Sequence, residues 1–328
     1  MTTRRAMLAA AATALLIAAG AGAEAAYPER PITLIVPYGA GGATDIAARN
    51  MTAVTPKYIP VPILVVNKTG AGGATGTAFV ANAAADGYTM MVARVGSHTV
   101  NPAMKANLPY SIDDFRYVGV FEINPVVCAT SPNSGIDSME ALIAAVKARP
   151  GEITYSSSGV GSMLHLAGVL VLDAFGVENA TQMVTHLPFR GGGEAARQVV
   201  AGNATFICTN SSALMGHIQS GALKPLMVTT KERLEGVDAP TAAELGKPEL
   251  EVLVGWSGIA GPKDLVDEAY EAWVGWLGQI TKDAEFKERM GALGSIVVSM
   301  TPEESVQFIR HQYEVFRALV DKLGMRVE

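Results

Sequence analysis

The hexapeptide Gly-Ala-Gly-Gly-Ala-Thr stands at residues 39–44 and again, unchanged, at residues 70–75. The first copy runs into Asp45 and the second into Gly76. Each follows an apolar run with strand character and leads into a stretch with helical periodicity. A glycine-rich turn at a helix start leaves backbone N–H groups without partners, at the positive end of the helix dipole, and lets a ligand come close to the main chain. The chemistry this suits is the binding of an anion. Tyr38, Ala40, Gly41, Gly42, Thr44 and Asp45 of the first loop, and Gly72, Gly73, Ala74 and Thr75 of the second, are the candidate contacts. Asp45 fits equally well as a first-turn acid that favours the dipole. Valine at Gly41 or Gly73 is expected to abolish binding by filling the space of the bound group.

Two later loops have the same character. Ser156-Ser157-Ser158-Gly159-Val160-Gly161-Ser162 contributes Ser157, Ser158, Gly159 and Ser162, and Pro188-Phe189-Arg190-Gly191-Gly192-Gly193-Glu194 contributes Arg190, Gly191 and Gly192. Their hydroxyls and free N–H groups suit a carboxylate or a polar ligand tail. Arg94 ends the run MMVAR, where a buried charge is costly without a partner. An internal salt bridge and a bidentate ligand contact are both open for it. Ser97, just beyond, and Asn210, at the end of ATFICTN, complete the candidate set.

Other chemistries find no support. A phosphate loop needs G-x-x-x-x-G-K-[ST], and neither copy has the lysine. A dinucleotide fingerprint needs G-x-G-x-x-G, and both copies miss the third glycine. The looser spacing of Gly70, Gly72 and Gly76 would call for a Tyr-x-x-x-Lys pair, which the chain lacks. Gly255-Trp256-Ser257-Gly258 only approaches a hydrolase elbow, and five scattered histidines show no metal spacing; His165 reads as a packing or capping residue. No catalytic residue, metal or cofactor is therefore expected, and the chain reads as a binding protein, not an enzyme.

Strands and helices alternate to position these loops. ITLIV (32–36), a helix from about Thr44 to Thr55, ILVVN (63–67), a helix from about Gly73 to Ala85 and YTMMVA (88–93) form one unit. VVCAT (126–130), Met139–Ala148, ITYSSS (153–158), about Ser162–Phe175, MVTHLPF (183–189), Gly193–Ala201, ATFICTN (204–210) and LKPLMVTT (223–230) form a second. Asp264–Gln279, Ala284–Leu293 and Pro302–Leu323 read as closing helices, the last with a capping box at Thr301 and Glu304. The succession argues for an α/β protein with mainly parallel sheets. The chain crosses between units near 117–130 and 223–230, which implies two lobes on a double hinge: residues 26–124 with 229–328, and residues 125–228.

The 49% hydrophobic and 17% charged composition suits buried cores. MTTRRAMLAAAATALLIAAGAGAEA (1–25) has the arginines, apolar stretch and small residues of an export signal, of general or twin-arginine type. Its removal leaves 23 Lys and Arg against 30 Asp and Glu, a balance that disfavours nucleic acid and anionic membranes. Cys128 and Cys208 lie in strand-like runs, where a buried free thiol is commoner than a disulfide, although an exported chain could oxidise them.

From Tyr27 to the C-terminus the sequence resembles the periplasmic substrate-binding proteins of tripartite tricarboxylate transporters, the Bug proteins. The resemblance rests on YPERPITLIVPYGAGGATDIAAR (27–49), NKTGAGGATG (67–76), DGYTMMVA (86–93), SSSGVGSMLHLAG (156–168), HLPFRGGGEAA (186–196) and VGWSGIAGPKDL (254–265). It implies a two-lobed type II periplasmic-binding-protein fold that closes on a small carboxylate and delivers it to a membrane permease, as a monomer in the periplasm. In that family the loops matching 38–45 and 72–76 hold one carboxylate through amides and ordered water, and loops matching 156–162 and 190–193 select the rest. A di- or tricarboxylate is favoured. Glu194 stands where proline is common, and Asn203-Ala204-Thr205 where an aspartate often follows a valine. A carboxylate sensor for a signalling receptor is the alternative, and an exported carboxylate-processing enzyme a third.

Overall fold

In the computed structural model, which describes residues 27–327, the first described element is a strand at the heart of the first lobe. The expected export signal lies outside the described residues. That strand, β1 (Ile32–Val36), is followed by α1 (Ala43–Val54), β2 (Ile63–Asn67), α2 (Ala74–Ala81) and β3 (Thr89–Arg94). The three strands are parallel, with β1 in the middle. In the β1–β2 register Ile32 faces Ile63 and Val36 faces Asn67, an offset of 31 residues that equals the spacing of the two hexapeptides. The copies therefore leave neighbouring strands at the same height. α2 is shorter than expected because the Asn82 side chain turns back onto the Ala78 carbonyl and ends it.

After β3 come a π-helical turn (Gly96–Val100) and the short α3 (Asn101–Met104). β4 (Phe115–Thr130) is 16 residues long and belongs to both lobes. From Phe115 to Pro125 it pairs with β9; from Val126 to Thr130 it pairs with β7 and β8. The second lobe continues with α4 (Met139–Ala148), β5 (Thr154–Ser157), α5 (Met163–Ala174), α6 (Ala180–Met183), β6 (Thr185–Pro188), α7 (Gly192–Val200), β7 (Phe206–Asn210), α8 (Ser211–Gln219) and β8 (Lys224–Val228). β9 (Val254–Pro262), α9 (Asp267–Ile280), α10 (Ala284–Gly291), β10 (Ile296–Val297) and α11 (Pro302–Leu323) return to the first lobe. The Thr301–Glu304 capping box forms as expected.

The sheet runs β2-β1-β3-β9-β4-β7-β5-β6, with β10 and β8 also paired to β4. In each lobe the strands mostly share one direction, opposed by β9 and β10 in the first and by β4 in the second. Besides the two-residue β10, β9 is the strand that the sequence does not announce. Its glycines obscure the pattern but are what let it lie between two neighbours: a Cβ at Gly258 would stand 2.8 Å from the Gly119 carbonyl oxygen.

Two apolar cores sit under the helices. Ile32, Leu34, Val36, Met51, Met90, Trp273 and Phe286 fill one, while Leu166, Val171, Phe206 and Leu226 belong to the other. β1 alternates between them, with Ile35 facing away from Leu34. Cys128 and Cys208 face each other in the antiparallel β4–β7 register and form a disulfide, which corrects the expectation of free thiols. Read singly, each cysteine sits in an ordinary buried strand; only the register of strands 80 residues apart brings them together. In the chain-entropy account, a loop of that length makes the bond worth about 4–5 kcal/mol.

Candidate functional site

In the first glycine loop, Gly41 takes a left-handed conformation (φ 75°) and Gly42 is the N-cap of α1, with no side chain capping the helix. The first-turn N–H groups of Ala43 and Thr44 have no carbonyl one turn back to bond. Asp45 is a brace for this loop. Its carboxylate accepts hydrogen bonds from Gly41 N (3.0 Å), Arg49 Nε (3.0 Å) and Asn67 Nδ2 (2.9 Å). Burial alone would raise its pKa, but the bonds from Arg49, Gly41 and Asn67 outweigh burial and hold the carboxyl below its ordinary value.

The second copy folds differently. Gly70, Ala71, Gly72 and Gly73 all have positive φ, at 133°, 48°, 67° and 98°. Asn101 Nδ2 donates to the Gly72 carbonyl (3.0 Å) and Lys105 Nζ to the Ala71 carbonyl (2.6 Å), so both carbonyls are engaged by side chains. Gly73 and Gly96 together form a slot for the Tyr38 ring. A Cβ at Gly73 would lie 2.8 Å from Tyr38 Cζ, and one at Gly96 would lie on the hydroxyl. The Tyr38 hydroxyl, buried, finds no hydrogen-bond partner among the described residues, and burial raises its pKa.

In the second lobe, two stacked histidines pin the loop at 157–161. His165 and His186 have ring centroids 4.2 Å apart; His186 Nε2 meets Ser157 Oγ at 2.5 Å and His165 Nδ1 accepts from Gly161 N at 3.3 Å. Burial lowers the pKa of His165 to about 3 and of His186 to about 4, so both are neutral at pH 7. The loop at 190–194 is tied by Glu194, which accepts from Arg190 N at 3.1 Å. Gly191 is the N-cap of α7, with no side chain capping the helix.

The four loops touch across the cleft in backbone-to-backbone packing. Gly39 N donates to the Arg190 carbonyl (3.2 Å). A Cβ at Gly191 would stand 2.7 Å from Gly39 N, one at Gly193 2.5 Å from the Gly41 carbonyl carbon, and one at Gly72 2.5 Å from the Val160 carbonyl oxygen. Only glycine permits these approaches. Behind this seam lies a cavity of about 30 Å³, lined by Tyr38, Ala43, Thr44, Arg94, Val95, Gly96, Ser158, Met163, Leu164, Gly192, Thr209 and Asn210. That is room for roughly two or three water molecules. The uncapped starts of α1 and α7 face it from opposite lobes, and Tyr38 lines it from the slot between Gly73 and Gly96.

Arg94 forms the cavity floor and is itself buried at 3% exposure. Its Nη1 donates to Glu122 Oε2 at 3.0 Å and to the Ser257 hydroxyl, and its Nη2 to Asn210 Oδ1 at 2.6 Å. The guanidinium thus joins β3 to β4 and β9 and reaches across to the end of β7. Just beyond it, the π-helical turn is pinned by His98, whose Nδ1 lies 2.9 Å from Ser97 Oγ; burial lowers the His98 pKa to about 3.

Of the residues singled out from the sequence, Tyr38, Thr44, Arg94, Ser158, Gly192 and Asn210 line the cavity. Gly41, Gly42, Gly72, Gly159 and Gly191 lie at or near the seam, and Gly73 backs Tyr38. Ala40, Thr75 and the Arg190 side chain are exposed. Asp45, Ser97, Ser157 and Ser162 brace loops from behind, and Ala74 opens α2 away from the cavity. A Cβ at Gly41 would point toward Arg197 Nη1, 3.8 Å away, and one at Gly73 into Tyr38, so valine at either site would act on loop and ring packing. Ala43, Val95, Gly96, Met163, Leu164 and Thr209 also line the cavity and were not anticipated. Each adjoins or nearly adjoins an anticipated residue, and the signal for Met163 and Leu164 was their place one turn inside a helix start.

Among the described residues no cluster of three potential metal ligands occurs, and no helix is long and apolar enough to cross a membrane. Residues 47–325 match the profile of the tripartite tricarboxylate transporter family receptor. Protein BugT of Bordetella pertussis is 30% identical over 305 residues, which cover 92% of both chains. The solved periplasmic binding protein BugD superposes with a TM-score of 0.87 at 28% identity, covering 92% of this chain and all of that one. MatC of Rhodopseudomonas palustris, solved with bound malate, gives 0.84 at 25% identity, covering 90% and 100%.

Proposed function

The chain belongs to the tripartite tricarboxylate transporter receptor family, and from that premise we propose that it captures a small organic carboxylate, a di- or tricarboxylate by preference, in the periplasm and hands it to a membrane permease. The observation that carries this reading is the convergence of two uncapped helix starts and one buried hydroxyl, unpartnered among the described residues, on a single cavity between lobes. Those groups are hydrogen-bond donors to an anion. Malate, bound in MatC, is a small dicarboxylate.

Binding proceeds by opening of the seam, entry of the acid, and closure that replaces its water by N–H donors. Charge-assisted hydrogen bonds contribute about 1.5–3 kcal/mol each, so three or four support micromolar affinity after ordering costs. The protein acts as a monomer, carries out no reaction on its ligand and needs no cofactor. Titration calorimetry with matched mono-, di- and tricarboxylates tests this: a micromolar response to at least one acid is expected, and silence across the whole panel overturns it.

A further inference from the structure

The second carboxylate of a ligand in this cavity would come toward Arg94, the one cation among its lining residues. The charge of that cation is already matched. Glu122, on the shared strand β4 and at 0% exposure, lies behind the guanidinium and not in the cavity wall. Its Oε2 accepts from Arg94 and Ser257, and its Oε1 accepts from Asn124 Nδ2 at 2.6 Å and Ser295 Oγ at 2.8 Å. Four donors hold this carboxylate in place. Arg94 has five N–H groups and the structure gives it three acceptors, so it keeps donors for a ligand but little net positive charge.

We infer that Glu122 is a specificity-determining residue that acts through Arg94. It is a resident carboxylate that offsets the guanidinium and so weakens the site's preference for a second negative charge over a neutral acceptor such as a hydroxyl or carbonyl. Capture then rests on the amides of the seam, and the acid remains exchangeable. This rests on the carboxylate reading above and goes beyond it by assigning the charge selectivity to a residue outside the cavity.

The test compares succinate with butyrate, equal in length and differing in one charge, by calorimetry on the full chain and on two variants. Glu122→Gln keeps size and polarity but frees the charge on Arg94; succinate binding is expected to tighten roughly ten- to a hundredfold while butyrate changes by less than about threefold. Arg94→Gln leaves the Glu122 charge uncompensated, and the succinate-to-butyrate ratio is expected to fall by at least about tenfold. The two shifts have opposite sign, which a loss of packing alone does not produce; should Glu122→Gln alone fail to fold, the double variant Arg94→Gln with Glu122→Gln carries the test, its ratio expected to recover from that of Arg94→Gln, and no recovery overturns the assignment. Ratios that stay put, or move the same way in both variants, overturn the assignment. If the unaltered protein binds no carboxylate of the wider panel, the functional reading fails; if it binds one while the ratios stay put, only the role of Glu122 fails.

Discussion

Two stretches of identical sequence, at 39–44 and 70–75, leave neighbouring parallel strands at the same height and yet take different shapes. The first needs one positive φ and supplies cavity wall through Ala43 and Thr44. The second needs four and supplies none; its carbonyls are held by Asn101 and Lys105, and its glycines make room for Tyr38 and Val160. The seventh residue shows why. Asp45 has Gly41 N, Arg49 and Asn67 to receive it, whereas a Cβ at Gly76 would lie 2.5 Å from the Lys68 carbonyl oxygen and 2.9 Å from Pro37 Cα. A hexapeptide rich in glycine specifies permissiveness, and the neighbours choose the conformation.

The sharpest break of this comparison is to make the second copy read like the first. Gly76→Asp buries a charged side chain against backbone and is expected to cost about 3–5 kcal/mol, whereas Asp45→Gly costs less; thermal melts that shift by under about two degrees for Gly76→Asp would make the seventh position incidental. Next is closure. Gly193 has no positive φ, so Gly193→Ala strains nothing locally and only wedges the seam; affinity is expected to fall about a hundredfold with the melting temperature nearly unchanged. Gly72→Ala wedges the other contact and adds about 1–2 kcal/mol of backbone strain, visible as a lower melting temperature. Full affinity in both variants would detach the glycines from closure.

Acid separates the braces. His165 and His186 have folded pKa values of about 3 and about 4 against an ordinary 6.5, so the stability they carry is complete above pH 6.5 and is lost as pH falls below it. The Asp45 carboxyl is lowered from 3.8, so its contribution persists until pH drops past that value. Melts from pH 8 to 3 should decline in two stages. His165→Gln with His186→Gln should flatten most of the first, leaving the share of His98, and Asp45→Asn should remove part of the second. A single-stage profile unaltered by either set would leave the two lobes braced alike. The smallest effect is expected from Tyr38→Phe, which removes a hydroxyl that bonds nothing among the described residues: stability within about 0.5 kcal/mol, and affinity for the acid reduced several-fold.

Much of the fold was legible because strand periodicity and glycine turns are local signals, as in ITLIV and ILVVN. β9 was not, since Gly255, Gly258 and Gly261 mimic loop composition and have meaning only between two packed strands. Arg94 announced a need for a partner but not its name, because Glu122 is brought to it by the adjacency of β3, β9 and β4. The disulfide was hidden for the same reason. Within the site, residues at loop tips could be read, but the helix turns behind them, where Met163 and Leu164 wall the cavity, could not.

β4 passes from one lobe to the other without a break, and its pairing with β9 is irregular on the stretch from Tyr117 to Glu122 that leads to the crossing. Such irregularities increase local twist. A strand continuous across the crossing behaves as a torsion bar, not as a loose joint: parting the lobes winds it, and the winding is limited by the backbone bonds on either side. On the proposed capture reading, the jaws would return elastically, and the travel open to an arriving acid would be set by how far one ribbon can turn.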